Sequence, residues 1–420
     1  MKLPRGTQDF LPPASERFWA IERLGADTFE RAGYGRVITP MFEDTALFER
    51  GVGESTDIVN KEMYTFADRS DNSLTLRPEG TASVMRAIVT HHLWDNGLPV
   101  KLYYDAAMFR YERPQKGRFR QHHQLGIEAV GSEDPALDAE VIAVGRELLQ
   151  GAGVGAVNLL LNSMGHRGPN CRDRYLPELR AFLEQHREEL DADCKRRMVQ
   201  NPLRVFDCKV PADQAILANA PMLSDFICDD CRAHLAAVEG FLDDAGIKFE
   251  AAPRLVRGFD YYTRTTFEFQ SGALEAAQNA VGGGGRYDGL VEEIGGPPLP
   301  GIGFGLGIER IMLAQEAAGN APPVDAIVCY VIPLEQAART SAFRLTRAIR
   351  EAGLSADMAY VERGLKTQLK HADRIGARFA ALIGEKELSS GIATVRDMTS
   401  GEQSEVPLDG VASWLQERAR

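Results

Sequence analysis

No apolar run in the 420-residue chain is long enough to cross a bilayer, so the sequence holds no candidate transmembrane helix. The opening residues, Met1-Lys2-Leu3-Pro4-Arg5-Gly6, contain no apolar stretch of the kind a secretory signal needs, and a cytoplasmic location is the expectation. Cysteine is scarce, six in all, which excludes a disulfide-built scaffold and fits a reducing compartment. There is no excess of positive charge. The net charge of -12 argues against a chain coated in nucleic acid, though not against a local basic site. The acidity lies upstream, because residues 325–420 hold 13 Lys/Arg and 13 Asp/Glu. Two phosphate-binding signatures are also missing: the P-loop spacing Gly-x-x-x-x-Gly-Lys-Ser/Thr, and Gly-x-Gly-x-x-Gly early in a βαβ unit. The chain shows no internal repeat and no low-complexity tract.

What is present is the composition of a globular protein, 44% apolar and 26% charged, with length for two or three domains. Ser15 to Arg31 has helical periodicity, and Val37 to Phe42 reads as a strand. Leu74 to Pro78 reads as a short strand, and Glu79 to His92 as a helix behind Pro78. Lys101 to Glu112 and Phe119 to Val130 read as an antiparallel pair around a basic loop, 113–118. From about Asn170 to Phe249 the chain turns helical and charged and carries five of the six cysteines, the pattern of an inserted subdomain. Strand character returns at 255–270, and Gly282-Gly283-Gly284-Gly285 reads as a turn. Beyond a linker at Asn320-Ala321-Pro322-Pro323, strands and helices alternate as in a small α/β domain.

Gly301, Gly303, Gly305 and Gly307 are spaced by two, which on a strand places them on one face. A face without side chains admits either a flat ligand or a tightly packed neighbour, and spacing alone does not choose. Arg310 follows, suited to a phosphate or to stacking on a base. Arg110, Arg113, Lys116, Arg118 and Arg120 fall within eleven residues, interleaved with aromatics. Arg110, Glu112, Arg118 and Arg120 share strand parity, so several cations would converge on one sheet face, as a polyphosphate requires.

Together these runs resemble the class II aminoacyl-tRNA synthetases. Phe109-Arg110-Tyr111-Glu112-Arg113-Pro114 with its loop and return strand resembles their motif 2. Gly303 to Arg310 resembles motif 3, and the first helix with Val37 to Phe42 resembles motif 1, which builds the dimer interface in that class. Leu255-Val256-Arg257-Gly258-Phe259-Asp260-Tyr261-Tyr262 and Gly284-Gly285-Arg286-Tyr287-Asp288-Gly289 resemble the two histidine-specific motifs of the histidyl-tRNA synthetases. The opening Pro4 to Asp9 resembles the start of that family, and the likeness spans essentially the whole chain.

The resemblance implies an α+β fold: an antiparallel sheet flanked by helices, a helical insertion and a C-terminal α/β anticodon-binding domain. The expected boundaries are 1–169 and 250–320 for the catalytic core, 170–249 for the insertion, and 325–420 for the anticodon domain. It implies a homodimer that activates histidine with ATP and Mg²⁺ and passes it to histidine tRNA. By the same resemblance, Arg110 and Arg257 are the catalytic cations on the α-phosphate. Glu128 and Tyr262 are the imidazole partners, and Tyr261 and Tyr287 shape the pocket. Glu79, Gly80, Thr81 and Gln124 surround the α-amino and carboxylate groups. Glu112 meets the adenine amino group, Arg118 the outer phosphates, and Arg310 stacks on adenine. Arg113, Gln115 and Lys116 face the tRNA acceptor end. Arg363, Lys366, Lys370 and Arg374 form a basic stripe for anticodon-stem phosphates, with Arg378 in line beyond Gly376.

One position departs from the family. The run is His122-His123-Gln124 where the family has Phe and then His-Gln, and that Phe stacks on adenine. His122 is flat but less apolar, so the sequence predicts an altered ATP affinity or pH response. The cysteines leave two readings. Cys228-x-x-Cys231 has metal-knuckle spacing, with Cys194 and Cys208 upstream, and four thiolates could hold a structural Zn²⁺. The upstream spacing is irregular and a lone Cys-x-x-Cys is common on helices, so the reading without metal is preferred. Two related alternatives are a regulatory paralogue of the family and a prolyl- or threonyl-type synthetase. The first lacks the anticodon domain and the arginine of the Arg257 run. The second lacks the tyrosine and Arg286-Tyr287-Asp288 runs.

Overall fold

The computed structural model describes every residue except Glu54, Ser55, Asp57, Lys116, 276–278, 322–326, Glu362, Ala419 and Arg420, and leaves the side chains of Val52 and Asn60 undescribed. The chain divides into two compact units, Met1–Pro322 and Pro323–Arg420.

The first unit is built on an eight-stranded sheet. In spatial order its strands are Gly35–Arg36, Val100–Phe109, Gln121–Val130, Gly301–Gly307, Ala280–Arg286, Thr263–Ser271, Val157–Ser163 and Glu250–Ala251. The six central strands pair antiparallel, and the short edge strands pair parallel. One face is closed by helices Ala14–Arg31, Pro135–Gly151 and Ile308–Ala317, whose apolar sides meet Leu125, Ile127, Ala129, Phe267, Phe269 and Phe304. The helix Pro135–Gly151 starts where Asp134 accepts the Ala136 N–H at 2.9 Å and Pro135 takes the first turn, where its missing N–H costs nothing.

Val37 to Phe42 is not one strand: ladders form at Gly35–Arg36 and Phe42–Asp44. Pro40 supplies no N–H, and Ile38, Met41 and Phe42 stay exposed. The tetraglycine is not a turn but the middle of a central strand. A Cβ at Gly284 would run into the Gly303 carbonyl, so the glycines let two neighbouring backbones close up. Strand structure begins only at Thr263, and 255–262 is irregular.

Between Arg172 and Asp244 the chain is helical. Helix Asp229–Asp244 returns to the sheet unit through a buried network. His234 Nε2 lies 2.8 Å from Asp138 Oδ2, and Arg286 Nη2 lies 2.7 Å from Asp138 Oδ1. The second unit holds a five-stranded mixed sheet in the order Ala356–Met358, Cys329–Pro333, Phe379–Ile383, Ile392–Asp397, Gln403–Pro407, with helices Arg339–Glu351, Leu365–Arg374 and Val411–Arg418.

Candidate active site

Side chains alternate along a strand, so His122, Gln124, Gly126 and Glu128 share the sheet face opposite Leu125, Ile127 and Ala129. On that face Glu128 stands opposite Gly303, Gly126 opposite Gly305, and Gln124 opposite Gly307. Gly283 stands between Gly305 and Glu268. A cleft of about 1520 Å³ opens over this glycine-bare floor. Glu79, Thr81, Arg110, Glu112, Gln115, Arg118, His122, Gln124, Arg257, Tyr261, Tyr262, Tyr287 and Arg310 all line it.

Three of the spaced glycines divide between two jobs. A Cβ at Gly301 would collide with the Tyr287 ring, and one at Gly303 with the Glu128 carboxylate, so these two make room for the protein itself. At Gly305 the nearest atom is Gln124 Oε1 at 3.5 Å, and here the floor is open.

The closed end of the cleft is a carboxylate pocket. Glu79 caps helix Thr81–Thr90, accepting the N–H of Thr81 at 2.7 Å and of Ala82 at 2.8 Å. The Thr81 hydroxyl donates to Glu128 Oε1 at 2.8 Å, and the Tyr287 hydroxyl donates to Glu128 Oε2. Glu128 is wholly buried and does not line the cleft directly. Burial, which the two hydroxyls only partly offset, raises its carboxyl to about 8, and nearby Glu79 adds to the rise. Burial also raises Glu79, against its two N–H donors and Arg110. Two carboxyls share a buried pocket, an arrangement that a cationic ligand would ionise. Tyr261 and Tyr262 close the wall, 4.7 Å apart between ring centroids. Gly80 offers no side chain; its α-carbon lies against the Tyr104 ring.

Cations flank the floor from both sides. Arg110 follows strand Val100–Phe109, donates to the Pro78 carbonyl at 2.8 Å, and lies 5.5 Å from the Phe259 ring centre. Arg257 comes from the irregular segment across the cleft and pairs with Glu268 at 3.1 Å. Its Nε is buried with no hydrogen-bond partner among the described residues. At the outer end Arg118 lies 3.6 Å from Glu112, and Arg310 donates to the Ala280 carbonyl at 2.9 and 3.0 Å.

His122 faces the cleft, whereas His123 points the other way and bonds Glu309 at 2.8 Å. Burial, with Arg110 adding to it, pushes the His122 imidazolium down to about 3, so the ring is neutral between pH 6 and 8. Against the expectation from sequence, the His122 ring therefore does not titrate in that range. Arg120 also departs from expectation. The strands stop at Phe109 and resume at Gln121, so its parity is lost, and it turns onto the Tyr111 ring, 3.9 Å away. Arg113 is exposed and outside the cleft, and Lys116 lies outside the described residues.

Glu268 went unread in the sequence, and Phe259 was given no role beyond its place in the Arg257 run. For Glu268 the signal was there: in Thr263–Ser271, polar Thr266, Glu268 and Gln270 alternate with buried Phe267 and Phe269. In the second unit, Lys366, Lys370 and Arg374 lie exposed on helix Leu365–Arg374 at four-residue steps. Arg363 precedes the helix and Arg378 follows Gly376, whose φ of +69° ends it, so neither belongs to the helical stripe. The four cysteines expected together are divided: Cys228 and Cys231 meet His166 and Cys171, while Cys194 and Cys208 meet Asp191 and Asp213.

The family model described as histidyl-tRNA synthetase matches residues 6–311, and the one described as anticodon binding domain matches 328–418. The chain belongs to the histidyl-tRNA synthetase family. A histidine–tRNA ligase of Halothermothrix orenii is 49% identical over 417 residues, 99% of each chain. One of Moorella thermoacetica is 49% identical over 412 residues, 98% of this chain and 97% of its own. The crystal structure of apo S. aureus histidyl-tRNA synthetase is 37% identical, with a TM-score of 0.82 over 99% of this chain and 100% of that one. As a member of the histidyl-tRNA synthetase family, the chain carries both of its matched segments, and its relatives are matched along nearly their full length. No helix among the described residues is long and apolar enough to cross a membrane.

Proposed function

We propose that the chain activates histidine with ATP in this cleft and then esterifies it to its tRNA. The observation that carries the reading is the meeting of Arg110, Arg257 and a buried Glu79–Thr81–Glu128–Tyr287 pocket around one glycine-bare floor. In the first step a histidine carboxylate oxygen attacks the α-phosphorus of ATP. A carbonyl–O–P bond forms, the α–β bridge breaks, and pyrophosphate leaves. Two anions must approach, so fixed cations are the central requirement. Arg110 holds the carboxylate and α-phosphate from one side. Arg257 holds the α-phosphate from the other, its unpartnered Nε available to a further oxygen. Mg²⁺ enters as part of the substrate, on the phosphates.

The imidazole is read at the closed end. Glu128 already accepts two hydroxyl hydrogens, and a carboxylate has lone pairs for a third donor, the ring N–H. Tyr262 meets the other nitrogen, with Tyr261 and Tyr287 fixing the pocket shape. The α-ammonium group goes to Glu79 and Gln124, beside Gly80 and Thr81. Adenine lies between His122 and Arg310, its amino group on Glu112 and the outer phosphates on Arg118. In the second step a hydroxyl of the tRNA's terminal ribose attacks the activated carbonyl, and AMP leaves. Arg113, Gln115 and Lys116 meet the acceptor end, and Lys366, Lys370 and Arg374, with Arg363 beside them, meet the anticodon stem.

The proposal extends to a homodimer in the cytoplasm, with core segments 1–169 and 250–320, insertion 170–249 and anticodon domain 325–420. Ile38, Met41, Phe42 and Phe66 are exposed around the motif 1 segment, an apolar surface suited to a second copy. Histidine-dependent ATP–pyrophosphate exchange tests the chemistry, and Arg257→Ala tests the site. The variant is expected to fold and lose exchange, and normal exchange would remove Arg257 from its role.

A further inference from the structure

The insertion and the sheet unit meet at a cluster that the active site does not use. His166 follows strand Val157–Ser163, Cys171 precedes helix Arg172–Gln185, and Cys228 and Cys231 stand at the start of helix Asp229–Asp244. One ligand atom from each lies within 4.8 Å of all the others. His166 Nδ1 is 3.3 Å from Cys231 Sγ, 3.5 Å from Cys228 Sγ and 4.0 Å from Cys171 Sγ. Cys171 and Cys231 are 3.8 Å apart between sulfurs, too far for a disulfide. A tetrahedral zinc with Zn–S near 2.3 Å and Zn–N near 2.0 Å needs edges of about 3.8 Å between sulfurs and about 3.5 Å between sulfur and nitrogen. The three nitrogen–sulfur separations and the Cys171–Cys231 pair lie within about 0.5 Å of those edges, and the remaining sulfur pairs are within 4.8 Å.

We propose that His166, Cys171, Cys228 and Cys231 bind one structural Zn²⁺. Closed four-ligand sites of this donor set hold zinc structurally, with no open position for water. The Cys228 backbone N–H points at Cys171 Sγ from 3.3 Å, and the positive ends of two helices converge on the sulfurs. On loading, three thiols release their protons to solvent, and the filled site carries a single net negative charge. Arg264 is beside it to balance that charge. It now donates to His166 Nε2 at 3.0 Å; with Nδ1 on the metal the ring proton moves to Nε2, and Arg264 turns to Glu133, 3.7 Å from its Nη1.

The second cysteine cluster is built otherwise. Asp191 caps helix Ala192–Gln200 through the Cys194 N–H at 2.6 Å, and Asp213 takes the Asp191 N–H at 3.3 Å and lies 3.4 Å from Cys208 Sγ. Its carboxylates are already committed to the protein.

The zinc site ties the insertion to the wall of the histidine pocket. Arg172, next to Cys171, bonds the Met164 carbonyl at 3.1 Å and the Tyr262 carbonyl. The site stands independently of the proposed chemistry, and its test reads metal rather than activity. The full chain, purified without chelator from zinc-supplemented cells, is expected to hold about one zinc per chain by elemental analysis. Replacing zinc with Co²⁺ should give the thiolate charge-transfer band and intense visible bands of a tetrahedral site. Cys231→Ser should lose the metal, and Cys208→Ser should keep it. Because Cys231→Ser can fail by misfolding, His166→Cys supplies a second check: it should keep the metal and shift the Co²⁺ bands as a fourth sulfur replaces nitrogen. A folded chain without zinc and without tetrahedral Co²⁺ bands overturns the proposal, as do Co²⁺ bands unmoved by His166→Cys.

Discussion

Glu128 works under an electrostatic load that its neighbours only partly relieve. Burial raises its carboxyl from the ordinary 4.5 to about 8. Between those values the unfolded chain sheds this proton and the folded chain keeps it. The stability contributed by this group is therefore complete below pH 4.5 and falls as pH rises toward 8. Glu128→Gln removes the titration, so its melting temperature should depend less on pH between 5 and 8 than that of the parent chain. An equal slope would show that Glu128 ionises normally. The same variant should weaken histidine binding by roughly tenfold to a hundredfold, the worth of a hydrogen bond to a carboxylate that the bound ligand's positive charge ionises. Arg257→Ala should lower exchange by about two to three orders of magnitude while melting like the parent. His122 belongs to this scale too. Its ring is neutral across the working range, so ATP KM in His122→Phe should keep the pH profile of the parent chain between pH 6 and 8. A divergence in that interval would contradict a neutral His122. Residue identities were legible in short runs because the cations and tyrosines of the pocket sit in motifs. Arg120 misled because strand parity carries information only while the strand continues, and this one stops at Phe109.

At the scale of elements, the site depends on strands that have given up their side chains. Gly303 and Gly305 sit two residues apart on one strand but face different neighbours. Gly303→Ala would drive a methyl into Glu128 and should destabilise the fold by roughly 1–3 kcal/mol, seen as a lower melting temperature. Gly305→Ala meets nothing closer than Gln124 at 3.5 Å, so it should melt normally and raise the KM for histidine or ATP instead. Equal melting of the two variants would contradict this division. Spacing showed that Gly301 to Gly307 share a face, but it could not say which glycines admit a ligand. That depends on Glu128 from the strand on one side and on Tyr287, just past the end of the strand on the other. The tetraglycine was misread for a related reason: glycine marks a turn locally, and only the adjoining backbones make it a strand. Arg286 was legible as part of a histidine-specific run, yet it is fully buried on Asp138 beside His234. Asp138→Ala removes the nearer of that guanidinium's two carboxylates, leaving only Asp288 at 3.3 Å, and should cost about 3–5 kcal/mol.

On the scale of the whole molecule, alternation of strands and helices after residue 325 was enough to separate a second unit, because local periodicity repeats there without long insertions. The catalytic unit was harder to read. Its sheet brings together strands from Gly35 to Gly307, and the order in which they pair is long-range information. The cysteines show the same limit, since their grouping follows the packing of the insertion helices and not their spacing. The division of labour predicts separable defects. Lys366→Glu with Lys370→Glu should weaken tRNA charging and lessen its salt dependence while ATP–pyrophosphate exchange stays unchanged. Loss of exchange in that variant would contradict the separation. On the proposed function, this cleft makes an adenylate from histidine and from no other amino acid. Its most direct test is ATP–pyrophosphate exchange run with each amino acid in turn. Exchange that appears with histidine alone is the predicted result, and exchange indifferent to histidine, or supported by another amino acid, would contradict it.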